Sequence, residues 1–265
     1  MTEKLGVENN QLRADWERRA IDKGSSYSGV LFRNLPDILN YYLHERHILI
    51  VLTKLLPLLP KHAALLDIGC GYGRISSYIR TFRPDIKLIG VDFAFPYCKQ
   101  YFNNVGFTPV CADFSRPPFT QFCVDGLIAV TALMYVSPSD REKVITVLVN
   151  LLKPKGVALF IDSGKEFFKV ASIIKSCDAK SSTSGTGFIL KEYNRLGKST
   201  LTEIVDCGGF TGFSLLLPIL HLFRAQLKVM KHLLKLSTAI DESLGHWRCW
   251  QRFALHRWML LKRTR

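Results

Sequence analysis

Short apolar strands alternate with helical segments through the middle of the sequence. The predicted strands are "AALLDIG", "KLIGVD", "TPVCAD", "VDGLIAVTAL" and "GVALFID", and helices are predicted between them over residues 74–82, 96–104 and 138–152. Strands that alternate with helices pair in parallel, because each helix returns the chain across one face of the sheet. The sequence therefore predicts an α/β fold built on a doubly wound sheet.

The flanking segments have different patterns, which divide the chain into three parts. Residues 1–59 are predicted to form a helical N-terminal cap, with a polar helix over the first 25 residues and a second helix over 36–56. Residues 60–218 hold the alternating core, and residues 219–265 form a basic amphipathic helical tail. We expect the catalytic unit to be the middle part, with the tail attached outside it.

The alternation weakens after the strand "GVALFID", where shorter elements are predicted. These are a helix over 165–176, a loop over 181–187, a strand in "FILKEY", a helix over 201–206 and a last strand in "FTGFSLLL" over 210–217. The last strand is expected to pair antiparallel with its neighbour.

Three glycines occupy alternate positions where the first strand meets the first core helix. In "LLDIGCGYGRI" they are Gly69, Gly71 and Gly73. Glycine in regular structure costs roughly 0.5–1 kcal/mol relative to alanine, so three together indicate close approach of a ligand to the backbone. The following helix N-terminus favours electron-rich groups, and Asp92, at the end of the next strand, suits the hydroxyls of a ribose. Arg74 stands where the G-x-G-x-x-G pattern of dinucleotide enzymes needs its last glycine.

The spelling of these segments resembles the class I S-adenosylmethionine-dependent methyltransferases. The similar segments are, in order, "LLDIGCGYG", "GVDF", "CADFSRPPF", "VDGLIAVTALMYV", "LLKPKGVALFID" and "LTEIVDCGGFTGFSL". Lys155 departs from the pattern, since the family has glycine in that turn. The resemblance implies a Rossmann-like, seven-stranded sheet, mostly parallel with an antiparallel last strand.

The resemblance also implies a set of residues that bind S-adenosylmethionine. Gly69, Gly71 and Gly73 would lie beneath its methionine part, and Asp67 would orient their loop. Asp92 would hold the ribose. The remaining predicted contacts are Asp113 and Phe114 at the adenine, Phe93 beside the ring, and Thr131 near the sulfonium.

Methyl transfer to a hydroxyl needs a general base, and four residues are candidates. His44 and His47 precede the first strand, Tyr135 follows the fourth, and Asp162 ends the fifth. Sites in open α/β sheets lie beyond the carboxyl ends of the strands, which favours Asp162 and Tyr135. No metal site is predicted, because the two histidines lack a third ligand and the seven cysteines form no CxxC pair.

The charge of the chain bears on its partners. The formal net charge is +14, and residues 219–265 hold ten Lys and Arg residues against two acids, interleaved with tryptophan and leucine. That composition suits a helix in an anionic membrane interface, with packing on its own domain as the alternative. The unpaired cysteines indicate a reducing compartment, and no apolar stretch reaches the roughly 18 residues that a membrane span needs.

We therefore expect a cytoplasmic methyltransferase, peripheral at the membrane, acting on a small or lipid-linked acceptor of glycan, glycolipid or isoprenoid type. An RNA methyltransferase is an alternative, less favoured because "TALMYV" follows the fourth strand in place of Asn/Asp-Pro-Pro-Tyr. A non-catalytic S-adenosylmethionine-binding or scaffold protein is another. The sequence leaves the oligomeric state open.

Overall fold

The computed structural model describes residues 2–33, 37–167, 185–197, 201–212, 216 and 227–264. Its helices are α1 (Thr2–Lys23), α2 (Tyr27–Val30), α3 (Asp37–Ile50), α4 (Arg74–Phe82), α5 (Phe95–Val105), α6 (Arg141–Leu151), α7 (Leu190–Leu196), α8 (Leu227–Leu244) and α9 (Arg248–Gln251). Its strands are β1 (Ala64–Ile68), β2 (Lys87–Asp92), β3 (Val110–Cys111), β4 (Val124–Val130), β5 (Leu152–Ser163), β6 (Thr202–Gly209) and β7 (His256–Arg263). A π-helical turn (Val51–Leu55) and a 3-10 turn (Leu56–Leu58) extend α3, and another 3-10 turn (Leu133–Tyr135) follows β4.

The strands form one seven-stranded sheet in the order β3-β2-β1-β4-β5-β7-β6. Strands β1 to β5 pair in parallel, and β7 pairs antiparallel with both β5 and β6. This confirms the predicted mostly parallel sheet with an antiparallel last strand. The strand order reverses between β1 and β4, which opens a crevice at their carboxyl ends.

The central strands are apolar along their whole length because helices cover both faces of the sheet. Successive residues of a strand point to opposite faces, so neighbours along β1 enter different cores. Leu65 packs with Ile79 of α4 and Val105 of α5 on one face, whereas Leu66 packs with Leu148 of α6 on the other. Both leucines are fully buried, as expected for a doubly wound sheet.

The structure corrects the assignment of the last two strands. Residues 201–206, predicted as a helix, belong to strand β6 apart from the first of them, and the antiparallel strand is β7 rather than 210–217. Within 210–217, Thr211 and Gly212 are helical, and residues 213–215 and 217 lie outside the described residues. The helix in 201–206 was wrong because its alternating residues pair with a strand that lies far along the chain.

Strand β7 also corrects the expected position of the tail. It lies between β5 and β6, so residues 256–263 are part of the central sheet and not an attachment to it. The two arginines of β7 are buried without loss of hydrogen bonds. Arg257 donates to Glu166 (2.7 Å) and to the carbonyl of Phe188 (2.7 Å), and Arg263 donates to the carbonyl of Val149 (2.6 Å). Satisfied guanidinium groups let a basic segment form an interior strand.

Two shorter predictions also differ from the structure. Most of "FILKEY", predicted as a strand, forms the start of α7. Residues 165–167 are helical as predicted, but the rest of the helix expected over 165–176 lies outside the described residues, as do 181–184 of the predicted loop.

The N-terminal helices lie over the carboxyl ends of the strands, as the predicted cap requires. The Tyr97 hydroxyl of α5 donates to the Gly29 carbonyl (2.6 Å), and the Gln100 side chain donates to the Ala20 carbonyl (2.9 Å). Helix α8 packs on α3, where the hydroxyls of Tyr42 and Thr238 share a hydrogen bond of 3.0 Å. Among the described residues, no helix combines the length and the apolar character that crossing a membrane would need.

Candidate functional site

A cavity opens where β1, β2 and β4 end, beneath the N-terminal helices. The lining residues come from the turn between β1 and α4 that holds Gly69, Gly71 and Gly73 (the glycine turn), from the ends of three strands and from the N-terminal cap. They include Trp16, Val30, Asp67, Gly69, Gly71, Arg74, Asp92, Phe93, Phe114, Thr131 and Tyr135. The cavity therefore collects most of the residues predicted to bind the cofactor.

The glycine turn brings bare backbone to the cavity wall. Gly69 and Gly71 have φ values of 63° and 53°, in the left-handed region that side chains disfavour. A Cβ atom on Gly69 would lie 2.7 Å from the Cβ of Ala132. Gly73 has a different role. It does not line the cavity and instead packs against Tyr101 of α5.

Asp92 fastens the glycine turn to the end of β2. Its Oδ2 accepts a hydrogen bond from the Gly71 amide (3.0 Å), and its Oδ1 accepts one from the Ala94 amide (2.9 Å). Burial raises the pKa of this carboxyl to about 6, against the opposing effect of these amides. A carboxylate oxygen can accept more than one hydrogen bond, so Asp92 can also accept from a ligand in the cavity.

Asp67 lies below the turn at the end of β1. Its Oδ2 accepts from the Ser76 hydroxyl (2.7 Å), which in turn accepts from the Tyr101 hydroxyl (3.1 Å). Burial raises the pKa of Asp67 to about 7. These bonds tie β1 to α4 and α5 and hold the turn in place, in keeping with the predicted orienting part.

The predicted adenine contacts divide in two. Phe93 and Phe114 line the cavity. Asp113 is exposed and does not line it; its Oδ1 accepts from the Ser115 amide (2.8 Å). The structure thus places the two aromatic side chains at the cavity and Asp113 beside it.

Thr131 has an unusual backbone conformation at the end of β4. Its φ is 56°, which is an outlier for a β-branched residue. The conformation is fixed by its amide, which donates to the Ile161 carbonyl (2.7 Å). Strain of this kind costs on the order of 1–3 kcal/mol and concentrates at functional sites.

Of the two bases favoured by position, only Tyr135 lines the cavity. Its ring lies edge-on to Trp16, with 5.3 Å between the ring centroids. Burial raises the pKa of Tyr135, so the phenol stays protonated at neutral pH. Asp162 does not line this cavity: its Oδ1 accepts from the Met134 amide (3.1 Å), and burial raises its pKa well above the ordinary value.

His44 and His47 lie behind the glycine turn and do not line the cavity. Each accepts a hydrogen bond of 3.1 Å at Nδ1 from the guanidinium of Arg74, and His47 Nε2 shares one of 2.8 Å with His256. Burial, with Arg74 second, lowers the pKa of His44 to about 3 and that of His47 well below its usual value. Both imidazoles are therefore neutral supports for Arg74.

Sequence reasoning missed several residues of the cavity wall, among them Arg74, Trp16 and Val30. The sequence contains one signal for Arg74, namely the i, i+3 pair His44 and His47, whose ring nitrogens can accept hydrogen bonds from a buried cation. Trp16 is a lone large aromatic in a polar helix and is nearly buried (8% exposed), which marks the helix face that meets the core. Val30 carried no signal.

Comparison with known proteins agrees with this geometry. Residues 65–156 match the family model described as a methyltransferase domain. Residues 65–156 therefore carry a methyltransferase domain. No curated protein sequence matches it. The family match and the fold together confirm an S-adenosylmethionine-dependent methyltransferase and its cofactor.

Several solved structures share the fold at low sequence identity. A sarcosine dimethylglycine methyltransferase candidate from Galdieria sulphuraria is 18% identical, with 86% of each chain covered and a TM-score of 0.53. Phosphoethanolamine N-methyltransferase 1 from Haemonchus contortus is 13% identical, with 98% of this chain and 49% of that one covered and a TM-score of 0.64. Geranyl diphosphate C-methyltransferase from Streptomyces coelicolor A3(2) is 13% identical, with 84% and 80% covered and a TM-score of 0.55.

The cavity fits S-adenosylmethionine on its own features. Gly69 and Gly71 leave room against the backbone, Asp92 offers carboxylate oxygens for ribose hydroxyls, and Phe93 and Phe114 offer ring faces for a base. No cluster of three or more possible metal ligands occurs in the part of the chain that the structure describes.

Proposed function

We propose that the chain methylates a small or lipid-linked acceptor that enters beside Thr131 and Tyr135. The observation that carries this proposal is the aromatic end of the cavity, where Trp16 of the cap closes over Tyr135. Aromatic walls bind apolar or cationic groups and exclude water. An acceptor with an isoprenoid or other apolar portion fits such an end.

When bound, S-adenosylmethionine would supply an electrophilic methyl group for in-line attack by a lone pair of the acceptor. The chain's part is to fix the two reactants in this geometry. Asp92 and the glycine turn hold the nucleoside, and Thr131 and Tyr135 border the path of the acceptor. Because its phenol stays protonated, Tyr135 positions the acceptor as a hydrogen-bond donor rather than removing a proton.

Structural analogy supports a small acceptor. Two of the neighbouring structures are named for methyl transfer to phosphoethanolamine and to geranyl diphosphate, which are small phosphorylated molecules. At their level of identity this argument is one of shared fold and carries no residue assignments.

Attachment to a membrane is supported by one surface near the C-terminus. Trp247 is 62% exposed and Phe253 46% exposed, and the exposed Arg248 and Arg252 lie next to them in the sequence. We infer a cytoplasmic enzyme that uses this surface to rest on anionic lipid. The other expected contributors differ: Trp258 and Leu261 are buried in β7, and Arg224 lies outside the described residues.

The test is methyl transfer from methyl-tritiated S-adenosylmethionine to three separated fractions: total lipid, water-soluble metabolites and RNA. The full chain is compared with Asp92→Asn, which keeps the shape of the side chain. We expect label in the lipid or metabolite fraction with the wild type only. Label confined to RNA would promote the RNA methyltransferase, and cofactor binding without transfer to any fraction would favour the scaffold alternative.

A further inference from the structure

A second cavity of about 270 Å³ lies on the α3 face of the sheet, beside the paired strands β6 and β7. Its lining includes Arg46 of α3, Lys54 of the π-helical turn, Phe210 after β6, Trp258 of β7, and Glu242 and His246. None of its lining residues lines the cofactor cavity. It is therefore a separate site whose use the methyl transfer does not explain.

Arg46 is the unusual group in this cavity. Its side chain is 6% exposed, yet Nε and Nη1 make no hydrogen bond. Glu242 Oε1 lies 3.6 Å from Nη1, too far for a good hydrogen bond, and the Glu242 side chain is 61% exposed. Burying a charged group without hydrogen bonds is costly. Among the described residues Nε and Nη1 have no acceptor, so a bound anion would lower this cost.

Two other buried arginines have hydrogen-bond acceptors for their guanidinium groups. Arg74 donates to two imidazoles, and Arg257 donates to Glu166 and to backbone carbonyls. Arg46, by contrast, lies over the Phe210 ring, 5.4 Å from its centroid, and its Nε and Nη1 atoms donate to no acceptor among the described residues. A guanidinium held in this way is ready to bind an anion.

The other walls of the cavity indicate what kind of group would be attached to the anionic group of a ligand. Phe210 and Trp258 are almost fully buried and give it an aromatic wall. Lys54 lies over the Trp258 ring (5.4 Å) but is already paired with Asp206 (2.6 Å). Arg46 is thus the main attractive charge for an anion, whereas the carboxyl groups of Asp241 and Glu242, which also line the cavity, oppose one.

Phe210 also separates the two cavities. Its ring lies next to Arg46 on one side and 5.8 Å from the His47 ring on the other, and His47 contacts Arg74 of the cofactor cavity. A ligand on Arg46 would therefore be divided from the cofactor by interior side chains.

We propose that this second cavity binds a small anionic ligand, a carboxylate or phosphate monoester on an aromatic or apolar body, through Arg46. The anion accepts hydrogen bonds from the guanidinium, and the body packs on Phe210 and Trp258. Glu242 opposes this binding, because its carboxylate lies at the same guanidinium.

The experiment titrates benzoate and phenyl phosphate into the full chain by calorimetry, with benzyl alcohol as the uncharged control. Saturating S-adenosylhomocysteine is present, so that the cofactor cavity is occupied. The variants are Arg46→Met, Glu242→Gln and Arg195→Met, the last being an exposed arginine whose ion pair with Glu142 is long (3.8 Å). The two anions distinguish a carboxylate site from a phosphate site.

We expect saturable binding of at least one anion and none of benzyl alcohol. Arg46→Met should weaken binding at least about tenfold, the scale of a lost charged hydrogen bond, and Arg195→Met should leave it unchanged. Glu242→Gln should tighten binding several-fold, a gain that misfolding cannot produce. The proposal is overturned if no anion saturates, or if Glu242→Gln fails to tighten binding. Methyl transfer does not enter these readouts, so failure of the proposed function would be separate.

Discussion

The affinity for S-adenosylmethionine should depend on pH through Asp92. Burial raises the pKa of this carboxyl from 3.8 to about 6. A shift of about two units corresponds to about 3 kcal/mol, which is the cost of ionising Asp92 in the folded chain. Ribose hydroxyls donate hydrogen bonds that favour the ionised form, so a bound nucleoside should repay part of that cost.

The free energy of unfolding and the cofactor affinity should change with pH in opposite directions. A carboxyl whose pKa is raised in the folded state contributes stability that is fully present below pH 4 and is lost as the pH rises to about 6. Asp92 should therefore lower the free energy of unfolding of the unliganded chain over that window. Cofactor affinity should run the other way, rising about tenfold between pH 5 and pH 7 as Asp92 ionises.

The assay is calorimetric binding of S-adenosylhomocysteine at pH 5, 6, 7 and 8 and constant ionic strength, with the wild type, Asp92→Asn and Asp67→Asn. At pH 7 Asp92→Asn should bind about 1.5–3 kcal/mol more weakly, the range for hydrogen bonds to a charged group, and should lose the rise between pH 5 and pH 7. Asp67→Asn is the matched control, because Asp67 has a pKa of about 7 and also lines the cavity. Identical pH profiles for the wild type and Asp92→Asn would refute the reasoning.

Three further predictions concern strain and surface contacts. Thr131→Gly should relieve the left-handed backbone and stabilise the chain by about 1 kcal/mol in urea unfolding, while lowering kcat for methyl transfer because the end of β4 loosens; a less stable variant would contradict it. Lys155 also has a positive φ (68°) in the turn where the family has glycine, so Lys155→Gly should raise the free energy of unfolding by about 1 kcal/mol, and an unchanged value would show that the conformation carries no cost. The double change Trp247→Ser and Phe253→Ser should reduce sedimentation of the protein with phosphatidylserine-containing vesicles and leave its sedimentation with phosphatidylcholine vesicles unaffected. The control is Phe82→Ser, which changes an aromatic residue that is 59% exposed elsewhere on the surface. Equal sedimentation of both variants would remove this surface from the proposal.

The cofactor half of the fold could be predicted because its signals are local. The turn from β1 into α4, the helix over 74–82 and the strand ending at Asp92 are each specified by a short run of residues. Glycine is required where φ is positive, and the acid follows at the next strand end. Local chemistry fixed both structure and position, so little long-range information was needed.

The far half of the sheet could not be predicted in the same way. Strand β6 depends on β7, and β7 is a run of arginine, tryptophan and leucine that also fits an interfacial helix. What decides between them is the burial of Arg257 and Arg263 against carbonyls and Glu166, partners that come from distant parts of the chain. Likewise the sequence does not reveal that the Arg74 guanidinium donates to the Nδ1 atoms of His44 and His47, which it therefore predicts as candidate bases.

The position of β7 has a consequence for biosynthesis. It follows β5 and β6 along the chain, yet it lies between them in the sheet. Until it is made, the outer edge of β5 and the inner edge of β6 are without their final partner, and exposed edges invite pairing with other chains. Cotranslational folding can complete the nucleotide-binding half of the sheet first and must leave the other half waiting. A released chain that ends before residue 256 should therefore engage chaperones, and a released chain that includes β7 should not.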